Sequence, residues 1–359
     1  MRYRLLAAFA AALAGVTAFP SEAAQRHPSA AVSPGSGYER RPDVRAFIDE
    51  LVRDHGFSRK TLARWFRDVR YQPKIVDAME RPIMAPPKWF EYAPRFMTPE
   101  RIDAGVAFWQ AHAGALARAE RDFGVPPQVI VAIVGVETFY GRNVGNYRVI
   151  DALTTLAFDY PRRASFFRGE LREFLLLARE EKFSPLLPKG SFAGAFGVAQ
   201  FMPGSVRAYA IDYDGDGRVD LWQSGDDAVG SIANYLARHD WLRGQPIWSK
   251  AMIAPSQRDA VLRRLDGGLS ERRPLAAWNA DGVAAERLPD PLSPEPVGLL
   301  ALELSDAESD ADGQDLRIVF PNFYVITRYN KSRLYASAVT ALAEAIRAQY
   351  DAANGSALR

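Results

Sequence analysis

Residues Val125-Pro-Pro-Gln-Val-Ile-Val-Ala-Ile-Val-Gly-Val-Glu137, followed by Thr138-Phe-Tyr-Gly141, form the most informative stretch of the 359-residue chain. Paired prolines preset the first helical turn, which needs no backbone donor, and Gly141 is a natural stop. Ile130, Ile133, Val134 and Glu137 then fall at i, i+3, i+4 and i+7, which puts a carboxyl group on an aliphatic stripe. Burial raises a carboxyl pKa, and the negative end of the helix dipole pushes the same way. A glutamic acid that is neutral near pH 7 is what general-acid chemistry requires. Taken alone, the stripe fits equally a Glu paired with a buried Arg or capping a neighbour.

Outward from this helix the chain reads as mainly α, in the α+β class. Residues 44–123 show helical spacing: Ala46/Phe47/Leu51 form one stripe, Ser58 caps a helix carrying Leu62 and Phe66, and Ile102/Val106/Phe108 begin another. Residues 82–94 are a proline-broken aromatic loop. A second helical block covers 126–182, broken at 141–146 and at Tyr160-Pro161, and a Gly-rich loop at 190–197 follows. Two glycines and two alanines within Ser191–Gly197 permit either a close ligand or a tight helix crossing. A further helix is expected near 228–238. Alternating apolar residues at 297–304 and 316–325 predict a β-hairpin, and 332–352 a final amphipathic helix. The expected division is 1–23 signal peptide, 24–41 flexible leader, 42–125 N-terminal helical domain, 126–241 core, 242–307 loop-rich region and 308–359 closing segment.

The N-terminus carries Arg2 and Arg4, an apolar run from Leu5 to Phe19 and a small-residue site near Ala23, the pattern of a cleavable export signal. No cysteine is present, so lipid attachment, disulfides, thiol nucleophiles and Cys-zinc sites are excluded. A soluble periplasmic monomer without a membrane span is the expectation. The net charge of +2 offers no basic field for nucleic acid. With 48% hydrophobic residues the chain can bury a large core.

Asp212-Tyr-Asp214-Gly-Asp216-Gly-Arg218-Val-Asp220 matches the first nine places of an EF-hand loop, with carboxylates at 1, 3 and 5, glycine at 6 and a carbonyl from Arg218 at 7. Position 12 is Gln223, which cannot supply an anionic bidentate ligand, so Asp226 or Asp227 must close the loop. Calcium is therefore expected as a structural ion, with no organic cofactor. A solvated Asp/Gly turn is the plain alternative.

Four segments, in order, carry a resemblance: Gly135-Val-Glu137-Thr-Phe-Tyr-Gly141, Asp151 to Arg163, Gly190 to Ser205 and Asn322 to Asn330. Together they resemble the membrane-bound lytic transglycosylase B family, here as a non-lipidated member. The resemblance implies a lysozyme-like helical core that cleaves the MurNAc-β-1,4-GlcNAc bond of peptidoglycan without water and leaves a 1,6-anhydro end. It implies that Glu137 serves as both acid and base. It also implies substrate contacts from Ser191, Gln200, Tyr92, Tyr235, Tyr329, Asn330 and Tyr335, and it favours Asp227 over Asp226 in the loop. Arg162 and Arg163 suit the carboxylates of peptidoglycan. Glycan strands, and wall-synthesis or divisome proteins, are the implied partners. Phe166 and the pair Phe139-Tyr140 depart from the family pattern, which bears on subsite detail.

Two-carboxylate glycosidases need a second acid about 5–10 Å away. Asp151 and Asp159 are nearest in sequence, and either could instead cap a helix or pair with Arg162 or Arg163. A hydrolytic muramidase and a calcium-braced peptidoglycan-binding scaffold are the alternative functions.

Overall fold

The computed structural model describes residues 37–81, 86–265, 269, 271–305 and 313–357, with side chains to 354. The expected signal peptide and most of the leader lie outside the described residues. The chain folds as two compact units, one made of Gly141–Ala228 with the segment ending at Pro82, the other of Ile83–Tyr140 and Val229–Arg359. The expected cuts at 125 and 241 do not follow this grouping. A linear reading assigns neighbours by sequence, whereas here packing partners come from segments far apart in the chain.

In the first unit the leader's last residues already belong to the fold. Tyr38 is buried, and its hydroxyl donates to Asp159 at 2.5 Å. Helix Pro42–His55 buries Val44, Phe47, Ile48 and Leu51 and stops at Gly56, whose φ of 67° suits a residue without Cβ. Ala46, expected on the buried stripe, is exposed, because the stripe runs through Val44 and Ile48. Ser58 caps helix Arg59–Asp68 by accepting the Thr61 N–H, and Leu62 and Phe66 are buried as expected.

Helix Val149–Asp159 is buried from Val149 through Phe158 and packs against helices Pro73–Glu80 and Ala164–Glu180. A helix apolar all round belongs at a centre. Its one buried carboxylate, Asp151, accepts two bonds from Arg148, each at 2.8 Å, and the Arg70 N–H at 3.0 Å. Asp159 accepts Arg41 at 2.6 Å. Both aspartates are structural, but their partners are Arg148 and Arg41, not Arg162 or Arg163.

Strands β1 (Tyr147–Arg148) and β2 (Lys189–Gly190) pair antiparallel at the mouth of the Gly-rich loop. A Cβ at Gly194 (φ 88°) would sit 2.4 Å from Leu153, and one at Gly197 2.5 Å from the Leu221 carbonyl. Of the two uses left open for these glycines, the structure shows close approach by the protein's own Leu153 and Leu221.

The second unit packs helices Pro99–Ala111, Pro127–Thr138 and Arg333–Ala357 against one another. It also holds a five-stranded antiparallel sheet of order β4-β6-β7-β3-β5, with β3 Trp248–Ile253, β4 Arg272–Arg273, β5 Val283–Ala285, β6 Val297–Glu303 and β7 Gln314–Val319. The predicted hairpin is β6–β7, with Leu300 opposite Arg317. It ends at Val319, because Pro321 opens helix Pro321–Tyr329. The region 242–307 supplies four of the five strands, joined by longer turns and short helices, around a core that includes Trp278, Val283, Leu299, Leu316 and Ile318. β3, β4 and β5 are short and separated by proline-containing segments, which hid their alternation.

Asp151→Ala would leave the Arg148 guanidinium with only the Asp68 carbonyl and strand the Arg70 N–H. It is expected to cost about 3 kcal/mol, the low end for a broken buried pair because Arg148 keeps partial exposure. Urea unfolding midpoints check it.

Candidate active site

Val129 through Gly135 are all buried in helix Pro127–Thr138, so the helix has no polar face and the aliphatic stripe read from the sequence is too narrow. Glu137, in the last turn, is half-buried. Burial pushes its carboxyl up to about 7, while a hydrogen bond from Tyr335 pulls the other way. The Tyr335 hydroxyl donates to Glu137 Oε1 at 2.6 Å. The carboxyl is desolvated yet reachable.

Aromatic rings surround it. Burial raises the hydroxyls of Tyr335 and Tyr329 well above the ordinary tyrosine value, and the Glu137 charge adds to this. The Tyr92 hydroxyl, under the same two influences, is raised to about 12. The Tyr329 ring stacks on Tyr335 at 6.4 Å, and Tyr235 meets Tyr329 edge-on at 5.1 Å. The Tyr235 hydroxyl donates to the Arg328 carbonyl at 2.7 Å, which fixes that ring. Asn330 Oδ1 is buried and has no hydrogen-bond partner among the described residues, an acceptor suited to an amide N–H. Tyr92, Tyr235, Tyr329, Asn330 and Tyr335 therefore share Glu137's unit.

Ser191, Gln200, Arg162 and Arg163 belong to the other unit. Ser191 Oγ accepts the Ala195 N–H at 3.1 Å and closes the Gly-rich turn. Gln200 adopts φ 51°, and its Nε2 donates to the Val144 and Gly197 carbonyls at 3.1 and 2.9 Å. Its Oε1 is buried without a partner among the described residues. The Arg163 guanidinium lies 4.3 Å from the Phe166 ring centroid, and Arg162 is exposed.

In the acidic loop, carboxylate oxygens of Asp212, Asp214 and Asp227 gather within 4.8 Å of one another. Asp227 is buried and accepts the N–H groups of Tyr213, Asp214 and Asp220. Asp212 accepts those of Gly215 and Gly217, and the Asp216 carboxylate accepts the Arg218 N–H. Asp214 accepts the Asp216 N–H and the Ser224 hydroxyl; three carboxylates with converging oxygens are a donor set of the kind that fits a hard cation. Asp216 is not in the gathered group.

The sequence reading passed over Arg101. Its Nη1 donates to the Gly135 carbonyl at 3.2 Å, and its guanidinium lies 4.6 Å from the Phe139 ring centroid. Spacing within its own helix does not mark it, because the groups it meets, the Gly135 carbonyl and the Phe139 ring, lie on a later segment of the chain.

The family described as the transglycosylase SLT domain matches residues 39–344. The chain belongs to this family. It is 39% identical over 322 residues to membrane-bound lytic murein transglycosylase B of Escherichia coli K12, covering 87% of this chain and 84% of that protein. The crystal structure of soluble lytic transglycosylase SltB1 from Pseudomonas aeruginosa superposes with a TM-score of 0.79 at 45% identity, covering 88% of this chain and all of that one. The Escherichia coli lytic transglycosylase Slt35 in complex with calcium gives 0.78 at 38% identity, covering 88% and 96%. Among the described residues no helix is long and apolar enough to cross a membrane.

Two outcomes follow from the acid's surroundings. Because the Tyr335 bond favours the ionised carboxyl, Tyr335→Phe should move the alkaline limb of the pH–rate profile to higher pH. Stability gives the second. A carboxyl near 4.5 unfolded and about 7 folded carries no penalty below 4.5, loses stability as pH rises between these values, and carries the full penalty above 7. Glu137→Gln should therefore raise the melting temperature at pH 8 relative to wild type, with the difference shrinking to nothing by pH 4.

Proposed function

We propose that this family member cleaves the β-1,4 bond between N-acetylmuramic acid and N-acetylglucosamine in peptidoglycan, with Glu137 as its single acid and base. The observation that carries this is a half-buried carboxyl at the end of an apolar helix, walled by tyrosines and bonded by the Tyr335 hydroxyl at 2.6 Å, with burial pushing its pKa up. The Asp151 and Asp159 carboxylates are bound to arginines, which supports a one-carboxylate mechanism over a two-carboxylate one.

Neutral Glu137 donates its proton to the glycosidic oxygen as the bond to C1 of the muramyl residue breaks. The 2-acetamido oxygen of that residue supports C1. The Glu137 carboxylate, stabilised by the Tyr335 hydroxyl, then takes the proton of the C6 hydroxyl as its oxygen closes on C1. The product is a 1,6-anhydromuramyl end, and Glu137 is neutral again for the next cycle. Tyr92, Tyr235 and Tyr329 offer ring faces to the sugars, and Asn330 Oδ1 accepts an N-acetyl N–H. Ser191, Gln200, Arg162 and Arg163 are the further residues proposed to bind the glycan and its stem-peptide carboxylates. The chain acts in the periplasm, after export on residues 1–23, in turnover or remodelling of the wall.

Asp212, Asp214, Asp216, the Arg218 carbonyl and Asp227 would hold calcium in an EF-hand-like loop. The converging carboxylates and the calcium held by Slt35 support this. The ion supplies cross-linking of the loop and takes no part in bond cleavage.

Mass spectrometry of digested glycan should show anhydromuramyl termini with the wild type and none with Glu137→Gln. Reducing muramic acid ends would make the enzyme a hydrolase, and equal wall clearing by both proteins would leave a binding scaffold. Chelation should lower the melting temperature of the wild type and leave that of Asp212→Ala unchanged.

A further inference from the structure

Immediately after Glu137 and Thr138 the backbone turns left-handed at two consecutive bulky residues, Phe139 (φ 51°) and Tyr140 (φ 57°), before Gly141 (φ 84°). Side chains with a Cβ rarely occupy this region, and when they do the surroundings hold them there. Phe139 and Tyr140 close the acid helix in the manner of a helix-terminating turn. Phe139 N–H bonds the Gly135 carbonyl at 3.1 Å and Tyr140 N–H the Val134 carbonyl at 3.3 Å.

What holds the turn is one face of helix Pro99–Ala111. Arg101 donates to the Gly135 carbonyl, the acceptor that also caps Phe139, and its guanidinium lies 4.6 Å from the Phe139 ring centroid and 5.3 Å from that of Phe96. One turn on, Gly105 faces the Tyr140 ring, which fills the slot between Gly105 and Gly135. A Cβ at either glycine would come within 2.5 Å of the Tyr140 hydroxyl oxygen. That hydroxyl is buried and has no hydrogen-bond partner among the described residues, so the ring is there for its shape. A guanidinium can stack on two rings and donate in its own plane at once, which an ammonium cannot. A cation at the C-terminal end of a helix also meets the dipole favourably.

We infer that Arg101 is a positioning residue for the proposed reaction: it locks the left-handed Phe139–Tyr140 turn and so fixes the last helical turn that aims the Glu137 carboxyl. This rests on Glu137 being the acid. Misplacing a catalytic group by about 1 Å costs on the order of 100-fold in rate.

The test is a double-mutant cycle between Arg101→Ala and Phe139→Gly on glycan strands, with Glu137→Gln as control. Glycine takes φ near +50° without strain, so the turn in Phe139→Gly no longer needs the stacked guanidinium. Arg101→Ala is expected to lower kcat roughly 10- to 100-fold with KM little changed. It should also move the alkaline limb of the pH profile to lower pH, because a loosened turn lets water reach the carboxyl. In the Phe139→Gly background the same substitution should cost severalfold less. Equal losses in the two backgrounds overturn the inference, as does a change in KM alone or a lower melting temperature with kcat preserved. Should Arg101→Ala not fold, Arg101→Lys keeps the charge without the fork and enters the same cycle. Activity surviving in Glu137→Gln would instead refute the assignment of the acid, whatever Arg101 does.

Discussion

Everything in the proposed chemistry depends on a helix that is wrapped in protein on every side. Seven consecutive residues, Val129 to Gly135, are buried, so a carboxyl group placed among them would be fully cut off from solvent and substrate. Two residues further on it gains partial access while keeping enough desolvation to hold its proton near neutrality. The position of Glu137 along the helix thus sets its pKa, and the packing of Pro99–Ala111 and Arg333–Ala357 around the helix maintains it.

A pKa close to ambient pH serves both halves of the proposed cycle. A much higher value would make a poor donor, and a much lower one would leave the carboxylate too weak a base for a sugar hydroxyl. The Tyr335 hydroxyl acts between these limits, since it stabilises the anion formed after the first proton transfer. It reaches Glu137 from 198 residues further along the chain, so the closing helix is part of the acid's environment.

Local patterns carried much of the fold. The Ser58 cap with Leu62 and Phe66, the β6–β7 pairing, and the start of the acid helix at its prolines were readable from spacing and capping chemistry; its end at Thr138, ahead of the expected stop at Gly141, was not, because Phe139 and Tyr140 turn left-handed first. What spacing could not supply was the choice of partner. Asp151 and Asp159 looked able to reach the arginines nearest in sequence, yet Arg148 and Arg41 hold them, because tertiary proximity decided. The glycines at 194 and 197 looked equally suited to a ligand or to a crossing, and only the positions of Leu153 and Leu221 resolve that. The tyrosines around Glu137 were legible through family resemblance. Arg101 was not, since nothing in one sequence says that a helix-surface arginine will meet a left-handed phenylalanine.

Over residues 37–357 the chain passes between its two compact units near residues 82, 140 and 228, so each unit is assembled from separated segments. Neither corresponds to a single stretch that could be cut out and expressed alone. A nested series of terminal deletions would remove parts of both before isolating either, and a fusion partner is better tolerated at an end than at any of the three crossings. The middle crossing falls directly behind Glu137, which makes the reactive end of the helix also a junction in the chain's topology.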